Sequence, residues 1–224
     1  MRRFVKDNAL SLFFLTAFVL SLVGQSFAGH AAANERQIAE GGTAVSWVEY
    51  VTSAEFTVDV AENWQSEYLQ FLLFILATVY LVQRGSPESK EPGKEGGESD
   101  ADQQVGRHAE PDSPPWARNG GLRQGLYGNS LGLAMGGIFL LSWLAQSVTG
   151  TASYNADQLA QLQDPVSWGE YVVSADFWNR TLQNWQSEFL AVLSMVALSI
   201  YLRQRGSPES KPVGAPHHAT GVEG

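Results

Sequence analysis

A repeat constrains this chain more than any other feature of its sequence. The pentapeptide Asn-Trp-Gln-Ser-Glu at 63–67 occurs again unchanged at 184–188, which is 121 residues later. Shifted by that spacing, 8–90 aligns with 129–211 without a gap, and close to half of the aligned positions are identical. Self-similarity over a long period indicates one structural unit used more than once. We therefore predict two copies of one unit. The first copy, the linker, the second copy and the tail occupy 1–90, 91–121, 122–211 and 212–224.

Each copy contains two strongly apolar segments. About 20 mainly apolar residues are sufficient to cross the hydrocarbon core of a bilayer. The first segment follows basic residues and ends in small residues, so by itself it also fits a secretory signal peptide. Its counterpart lies in the middle of the chain, where no signal peptide can act, and this favours a membrane-spanning helix in both copies. The four predicted spans are 9–28, 64–83, 129–149 and 185–203.

The outer segments between the paired spans, at 30–63 and 150–184, are nearly equal in length, which indicates that they are ordered. Ser46 and Ser167 are each followed three residues later by Glu, the capping-box pattern that starts a helix. Apolar and aromatic residues then recur at helical spacing, so we predict an amphipathic helix that continues into the next span with only a bend at Asn63. Two interpretations stay open: this helix lies along the membrane interface, or it forms a separate extramembrane cap.

The second span of each copy closes with Gln-Arg-Gly-Ser-Pro-Glu-Ser-Lys, at 83–90 and 204–211. Its Gly and Pro predict that the helix stops there. Most Lys and Arg residues flank this side of the spans, so the positive-inside rule places both termini and the linker in the cytoplasm. We expect Trp side chains to anchor the outer interface, and basic side chains to form a cytoplasmic turn against lipid headgroups. The anchors are Trp47, Trp64, Trp168 and Trp185, and the basic residues of the turns are Arg84, Lys90, Arg205 and Lys211.

Composition and motifs argue against several classes of function. The formal net charge is −9, and the chain lacks a basic aromatic face, which argues against nucleic-acid binding. The acidic linker has too little apolar surface to offset the entropy of ordering, so we predict that it is disordered. Cys is absent, which excludes disulfides and thiolate metal sites. No catalytic or nucleotide-binding motif is present, and the His residues have no counterparts in the repeat. We therefore expect no metal, no cofactor and no enzymatic activity.

The repeated pentapeptide, followed by a span that closes with the Gln-Arg-Gly-Ser-Pro-Glu-Ser-Lys motif, resembles a family of uncharacterised bacterial integral membrane proteins, a domain of unknown function with this tandem layout. The resemblance covers nearly the whole chain outside the linker. It implies a location in the bacterial inner membrane and carries no activity with it.

Six polar residues lie at similar depth near the outer ends of the predicted spans. A carboxylate near the membrane is costly to expose to lipid and is a candidate functional group. Two carboxylates related by the repeat could together bind a cation or exchange a proton. Alternatively, a Glu in the first helical turn is stabilised by the helix dipole, and the amides hold helices together by hydrogen bonds. The six residues are Glu67, Glu188, Gln65, Gln186, Gln25 and Gln146.

We predict an all-α membrane protein of four transmembrane helices, arranged as two tandem parallel two-helix repeats, each with an extracytoplasmic amphipathic helical segment. One hypothesis is a structural or regulatory membrane component, whose partners are the lipid bilayer and either a second copy of the chain or another membrane protein. The other is a small transporter or channel for protons or cations that uses Glu67 and Glu188. The sequence favours the first, because both carboxylates lie near an interface rather than at mid-membrane.

Overall fold

The computed structural model describes residues 2–222, and the last two residues of the predicted tail lie outside this range. The described residues form α-helices, a short 3-10 helix at Gly106–His108 and turns, without a β-strand, which confirms the predicted all-α class. The α-helices, in chain order, are α1 (Arg2–Asp7), α2 (Ala9–Ala39), α3 (Trp47–Val51), α4 (Ala54–Tyr80), α5 (Pro115–Arg118), α6 (Leu122–Gly128), α7 (Ser130–Ala160), α8 (Trp168–Val172) and α9 (Ala175–Leu198).

Among the described residues, α2 and α7 are the two helices that are long and apolar enough to cross a membrane. Only 6% of the most apolar window of α2 and 22% of that of α7 is buried, so most of their apolar side chains face outward. The second and fourth predicted spans do not meet the same criterion. In α4 the uncharged part of the helix covers 68–80, which is about 20 Å long against a hydrocarbon core of about 30 Å. Helix length and composition therefore support two of the four predicted spans.

The described chain divides into two compact units. Unit 1 contains the residues up to Ala61 together with Ala145–Val172, and unit 2 contains Glu62–Leu144 together with the residues from Val173 onward. Each unit takes residues from both copies of the sequence repeat. The long helices α4 and α7 contribute to both units, because the division falls inside each of them.

In unit 1, α2 continues well past the predicted end of the span at residue 28. The residues that follow are rich in Ala, Gln, Glu and Arg, which all favour a helix. The helix is followed by Gly41 at a φ of 83°, in the left-handed region that suits glycine at a helix end. The helix α7 also continues to Ala160, and there Leu162 takes the equivalent place at a φ of 58°. The second copy therefore places a branched side chain where the first has glycine.

The predicted capping boxes are present. The backbone N–H of Ser46 donates to the Glu49 carboxylate at 2.7 Å, and the Glu49 N–H donates to the Ser46 hydroxyl at 3.3 Å. The same two hydrogen bonds form at the start of α8. The predicted continuous helix with a bend at Asn63 is wrong. The short helix α3 ends at Val51, and α4 begins anew because the Ser53 hydroxyl accepts the following helix N–H at 3.2 Å. Helix α4 then passes through Asn63 without a break.

The outer segments of unit 1 are held against the preceding helices, as the equal lengths predict. The Asn34 amide on α2 donates to the Val45 carbonyl at 3.1 Å, and its oxygen accepts the Val45 N–H at 2.8 Å. Asn155 and Val166 make the same pair of hydrogen bonds, both at 2.8 Å. Each loop is therefore tied to its helix at one residue through both backbone groups.

In unit 2, α7 packs against α4 through small residues. Gly132 and Gly136, one turn apart on α7, face Leu76 and Leu72 of α4. A Cβ on Gly136 would lie 3.6 Å from Leu72, which is ordinary van der Waals distance. Small residues at this spacing let two helices approach closely, a common arrangement between helices in membranes.

Candidate functional site

Trp47 and Trp168, two of the predicted anchors, make equivalent contacts within unit 1. The Trp47 indole N–H donates to the Ser26 hydroxyl at 3.2 Å, and that of Trp168 donates to the Ser147 hydroxyl at 3.1 Å. The capping boxes place both Trp residues at the first position of a helix. Each indole is partly exposed while its polar end is satisfied inside the fold. Such amphipathic placement suits a membrane interface.

The repeated pentapeptide has different surroundings in its two positions. In unit 2, the Trp185 indole N–H on α9 donates to Oε1 of Gln65 on α4 at 2.9 Å. Gln65 is fully buried, at 0% exposure, whereas its counterpart Gln186 is exposed. Trp185 is half-buried, whereas its counterpart Trp64 is 41% exposed. The first copy of the pentapeptide therefore supplies a buried amide, and the second copy supplies the indole that donates to it.

An aromatic cluster of unit 2 surrounds Trp143 of α7. Its ring lies 6.1 Å from that of Trp185, between ring centroids, and 6.2 Å from that of Trp178 in an edge-on arrangement. Phe139 and Phe177 stack on it at 5.5 and 6.3 Å. The repeat gave no sign of Trp143, because its counterpart in the first copy is Leu22. The replacement of Leu22 by a Trp in the second copy was the sequence signal that could have indicated this cluster.

Next to this cluster, Arg180 of α9 forms an ion pair with Glu62 of α4. Two guanidinium nitrogens each lie 2.9 Å from a carboxylate oxygen, a bidentate geometry. The Glu62 side chain is 12% exposed and that of Arg180 35%. This pair was also missed, since the counterparts of Glu62 and Arg180 are Gln183 and Asp59, so neither charge is repeated.

The two predicted carboxylates both belong to unit 2. Glu67 on α4 is exposed and Glu188 on α9 is half-buried. The arrangement offers two carboxylates at the surface of one unit, as the transport hypothesis requires, but Glu67 does not point into an enclosed cavity.

The other predicted amides differ in burial. Gln146 is fully buried and Gln25 is exposed, and both belong to unit 1. The predicted polar set is therefore divided, with four members in unit 2 and two in unit 1. Within unit 2, the residues that the structure adds are Glu62, Trp143 and Arg180.

The repeated motif at the end of each second span forms a defined turn. Its first N–H, at Gln83 or Gln204, donates to the hydroxyl of the Ser six residues later, at 2.8 and 2.9 Å. Helices α4 and α9 end before the motif, at Tyr80 and Leu198, so the motif glycines shape the turn and do not stop the helix as predicted. Gly85 and Gly206, the glycines of the two turns, have positive φ angles of 90° and 80°.

The basic residues of these turns have three different environments. Arg84 and Arg205 are exposed, as headgroup contact requires. Lys90 donates to the Gly96 carbonyl at 3.0 Å and pairs with Glu98. Lys211 is 1% exposed.

The ammonium of Lys211 donates to backbone carbonyls, among them those of Gly85, His217 and Ala219 at 2.5, 2.9 and 3.1 Å. Burial lowers its pKa. The predicted headgroup contact is therefore wrong for Lys211, because its charge is enclosed by the tail.

Among residues 2–222, no group of three or more His, Asp or Glu side chains is placed to hold a metal ion. A model of the family described as Domain of unknown function (DUF6766) matches residues 1–222. No match was found among curated proteins or among solved structures. The family match covers both copies of the pentapeptide and both turn motifs, which carried the resemblance seen in the sequence. This chain therefore belongs to the DUF6766 family, a domain of unknown function.

Proposed function

We propose that this protein is an integral membrane component with a structural or regulatory role and no catalytic activity of its own. The outward apolar faces of α2 and α7 support the membrane location, since such faces are unfavourable in water. Further apolar side chains are exposed on α4 and α9. They include Phe71, Leu73, Leu76, Leu190 and Leu193.

In the finer form of this proposal the chain crosses the bacterial inner membrane four times, with both termini and the linker in the cytoplasm. The predicted second and fourth spans are included because their apolar sequence continues past the ends of α4 and α9. If α2 and α7 alone crossed, the linker would lie outside and the second outer segment inside.

Labelling of single cysteines separates the four-span and two-span topologies, and the chain contains no native Cys to confuse it. We would place one Cys at Thr43, Ser99 or Gln163, which are all exposed, and label intact cells with a membrane-impermeant maleimide. Four spans predict labelling at positions 43 and 163 and protection at 99. Two spans predict labelling at 43 and 99 and protection at 163. Position 43 is the control, since both topologies expose it outside.

The observation that carries the structural role is that several of the repeated side chains make hydrogen bonds inside the fold. Trp47 and Trp168 donate to buried hydroxyls, and Trp185 donates to a buried amide. The buried Lys211 is enclosed by carbonyls of its own unit. Groups used in this way hold helices and turns together.

Transport of protons or cations is the second candidate, favoured by the presence of both Glu67 and Glu188 in unit 2. The test is flux into proteoliposomes under a proton or potassium gradient, for the intact protein and the Glu67→Gln, Glu188→Gln double variant. Glu40→Gln, at an exposed position of the outer segment, is the matched control. The structural role predicts no flux above that of protein-free vesicles. Flux that the double variant loses and the control keeps would replace it with transport.

A further inference from the structure

Besides Nε of Arg203, two buried hydrogen-bond donors in unit 2 have no acceptor among the described residues. They are Nε2 of Gln65 on α4 and Nε1 of Trp143 on α7. Gln65 is entirely buried, and its other amide atom, Oε1, is already used by Trp185. Buried polar groups are nearly always paired, and an unpaired donor destabilises the fold, so these two N–H groups require an explanation.

Both donors belong to one place in unit 2, because both side chains contact Trp185. Gln65 does so through its hydrogen bond, and Trp143 through its ring at 6.1 Å. The neighbouring Trp178 is 39% exposed and Phe189, whose ring contacts Trp185, is 41% exposed. The cluster of buried donors therefore borders an aromatic and apolar surface that, in a membrane protein, faces lipid.

Charged residues lie next to the cluster on α4 and α9. Glu62 precedes Gln65 by one turn on α4, and Arg180 precedes Trp185 on α9. The Arg180 side chain is 35% exposed although it is paired with Glu62. Further along α9, Leu190 and Leu193 are 55% and 61% exposed. Along α9, a charged group, an indole N–H donor and apolar side chains therefore follow one another. A phospholipid presents its phosphate, its ester carbonyls and its acyl chains in the same order.

We propose that the Gln65, Trp143 and Trp185 cluster binds one phospholipid, whose acyl-ester carbonyl oxygens accept hydrogen bonds from Gln65 Nε2 and Trp143 Nε1. The phosphate lies near Arg180, and the acyl chains follow the exposed leucines of α9. The inference rests on the proposed membrane location and names a ligand for it. The neutral donors select an ester lipid, because an ether-linked lipid has no carbonyl oxygen to offer them.

The first test uses the intact protein in nanodiscs that contain diacyl phosphatidylethanolamine or its dialkyl-ether analogue. Native mass spectrometry of the released protein measures the lipid that stays bound. We expect one ester lipid per chain, and a retention of the ether analogue about tenfold lower, because two neutral hydrogen bonds are lost. Equal retention of the two lipids would overturn the proposal and leave water as the acceptor. This comparison requires no mutation and so does not depend on the folding of a variant.

The second test removes one donor at a time. Gln65→Leu and Trp143→Phe should each lower ester-lipid retention about threefold and leave ether-lipid retention unchanged. Gln186→Leu is the matched control, since it alters the exposed counterpart of Gln65. Circular dichroism confirms the helical content of each variant. Unchanged retention of the ester lipid in both variants would refute the site. The labelling of the cysteine variants described above tests separately whether the chain spans the membrane.

Discussion

The clearest test of the packing in unit 1 is Gly150→Ala. Gly150 lies in α7 where the ring of Tyr171 from α8 crosses it. A Cβ would stand 2.6 Å from the Tyr171 hydroxyl and 2.9 Å from the nearest ring carbon, whereas favourable contacts lie at about 3.5–4.0 Å. The ring would have to move by about 1 Å. It is 1% exposed and lies against Tyr154 at 5.4 Å, so it cannot turn out into solvent.

The expected cost is measured against a second Gly→Ala change. Overpacking of this size destabilises a fold by about 1–3 kcal/mol. Ala in place of Gly within a helix stabilises by up to about 1 kcal/mol, which offsets part of that cost at position 150. Gly24→Ala on α2 has the same helical benefit with no atom within 4 Å of the new Cβ. The difference between the two variants should therefore equal the overpacking cost, with Gly150→Ala the less stable by about 1–3 kcal/mol.

The assay is unfolding of detergent-solubilised protein, followed by circular dichroism and Trp fluorescence. Tyr171→Phe should reduce the difference without abolishing it, because the removal of the hydroxyl leaves ring carbons at 2.9 and 3.0 Å. If Gly150→Ala proves as stable as Gly24→Ala, the close approach of α8 to α7 is not as described.

Three further outcomes are expected in the same unfolding assay. Leu162→Gly should stabilise the protein by about 0.5 kcal/mol, because relief of the left-handed backbone exceeds the added chain entropy; a loss of stability would contradict this. Hydrogen bonds from the capping-box Ser lower the pKa of Glu49 and Glu170. The ionised carboxylates therefore stabilise the folded protein fully above the ordinary Glu pKa, and this stabilisation is lost as pH falls through the lowered pKa values. The variants Glu49→Gln and Glu170→Gln should flatten this acid dependence, and an unchanged pH profile would count against the capping boxes. Arg180→Gln should lower the free energy of unfolding by about 1–2 kcal/mol, because it leaves the Glu62 carboxylate unpaired. The same change should lower it by less when Glu62→Gln is also present, and strictly additive effects of the two changes would refute the coupling of Arg180 and Glu62.

Several local features could be predicted because they depend on residues close together in the chain. The capping box at Ser46 needs only a Ser, a Glu three residues later and a helix to follow, and it forms as expected. The Gly and Pro of the motif after each second span predicted a break there, and the chain does turn at Gly85 and Gly206, although the helices already end at Tyr80 and Leu198. The helix restart at Ser53 was missed, although the Ser was visible, because the apolar pattern across it read as one continuous helix.

The sequence by itself determined the helical class, the repeated caps and turns and the two most apolar helices, since all of these arise from interactions within a few residues. Only the tertiary structure decided which member of each repeated pair is buried. Gln65 and Gln186 have identical neighbours in the chain, yet one is enclosed beside Trp185 and the other is exposed. Lys90 and Lys211 differ in the same way. Burial depends on contacts with distant segments, and equal local sequence cannot encode a difference that arises there.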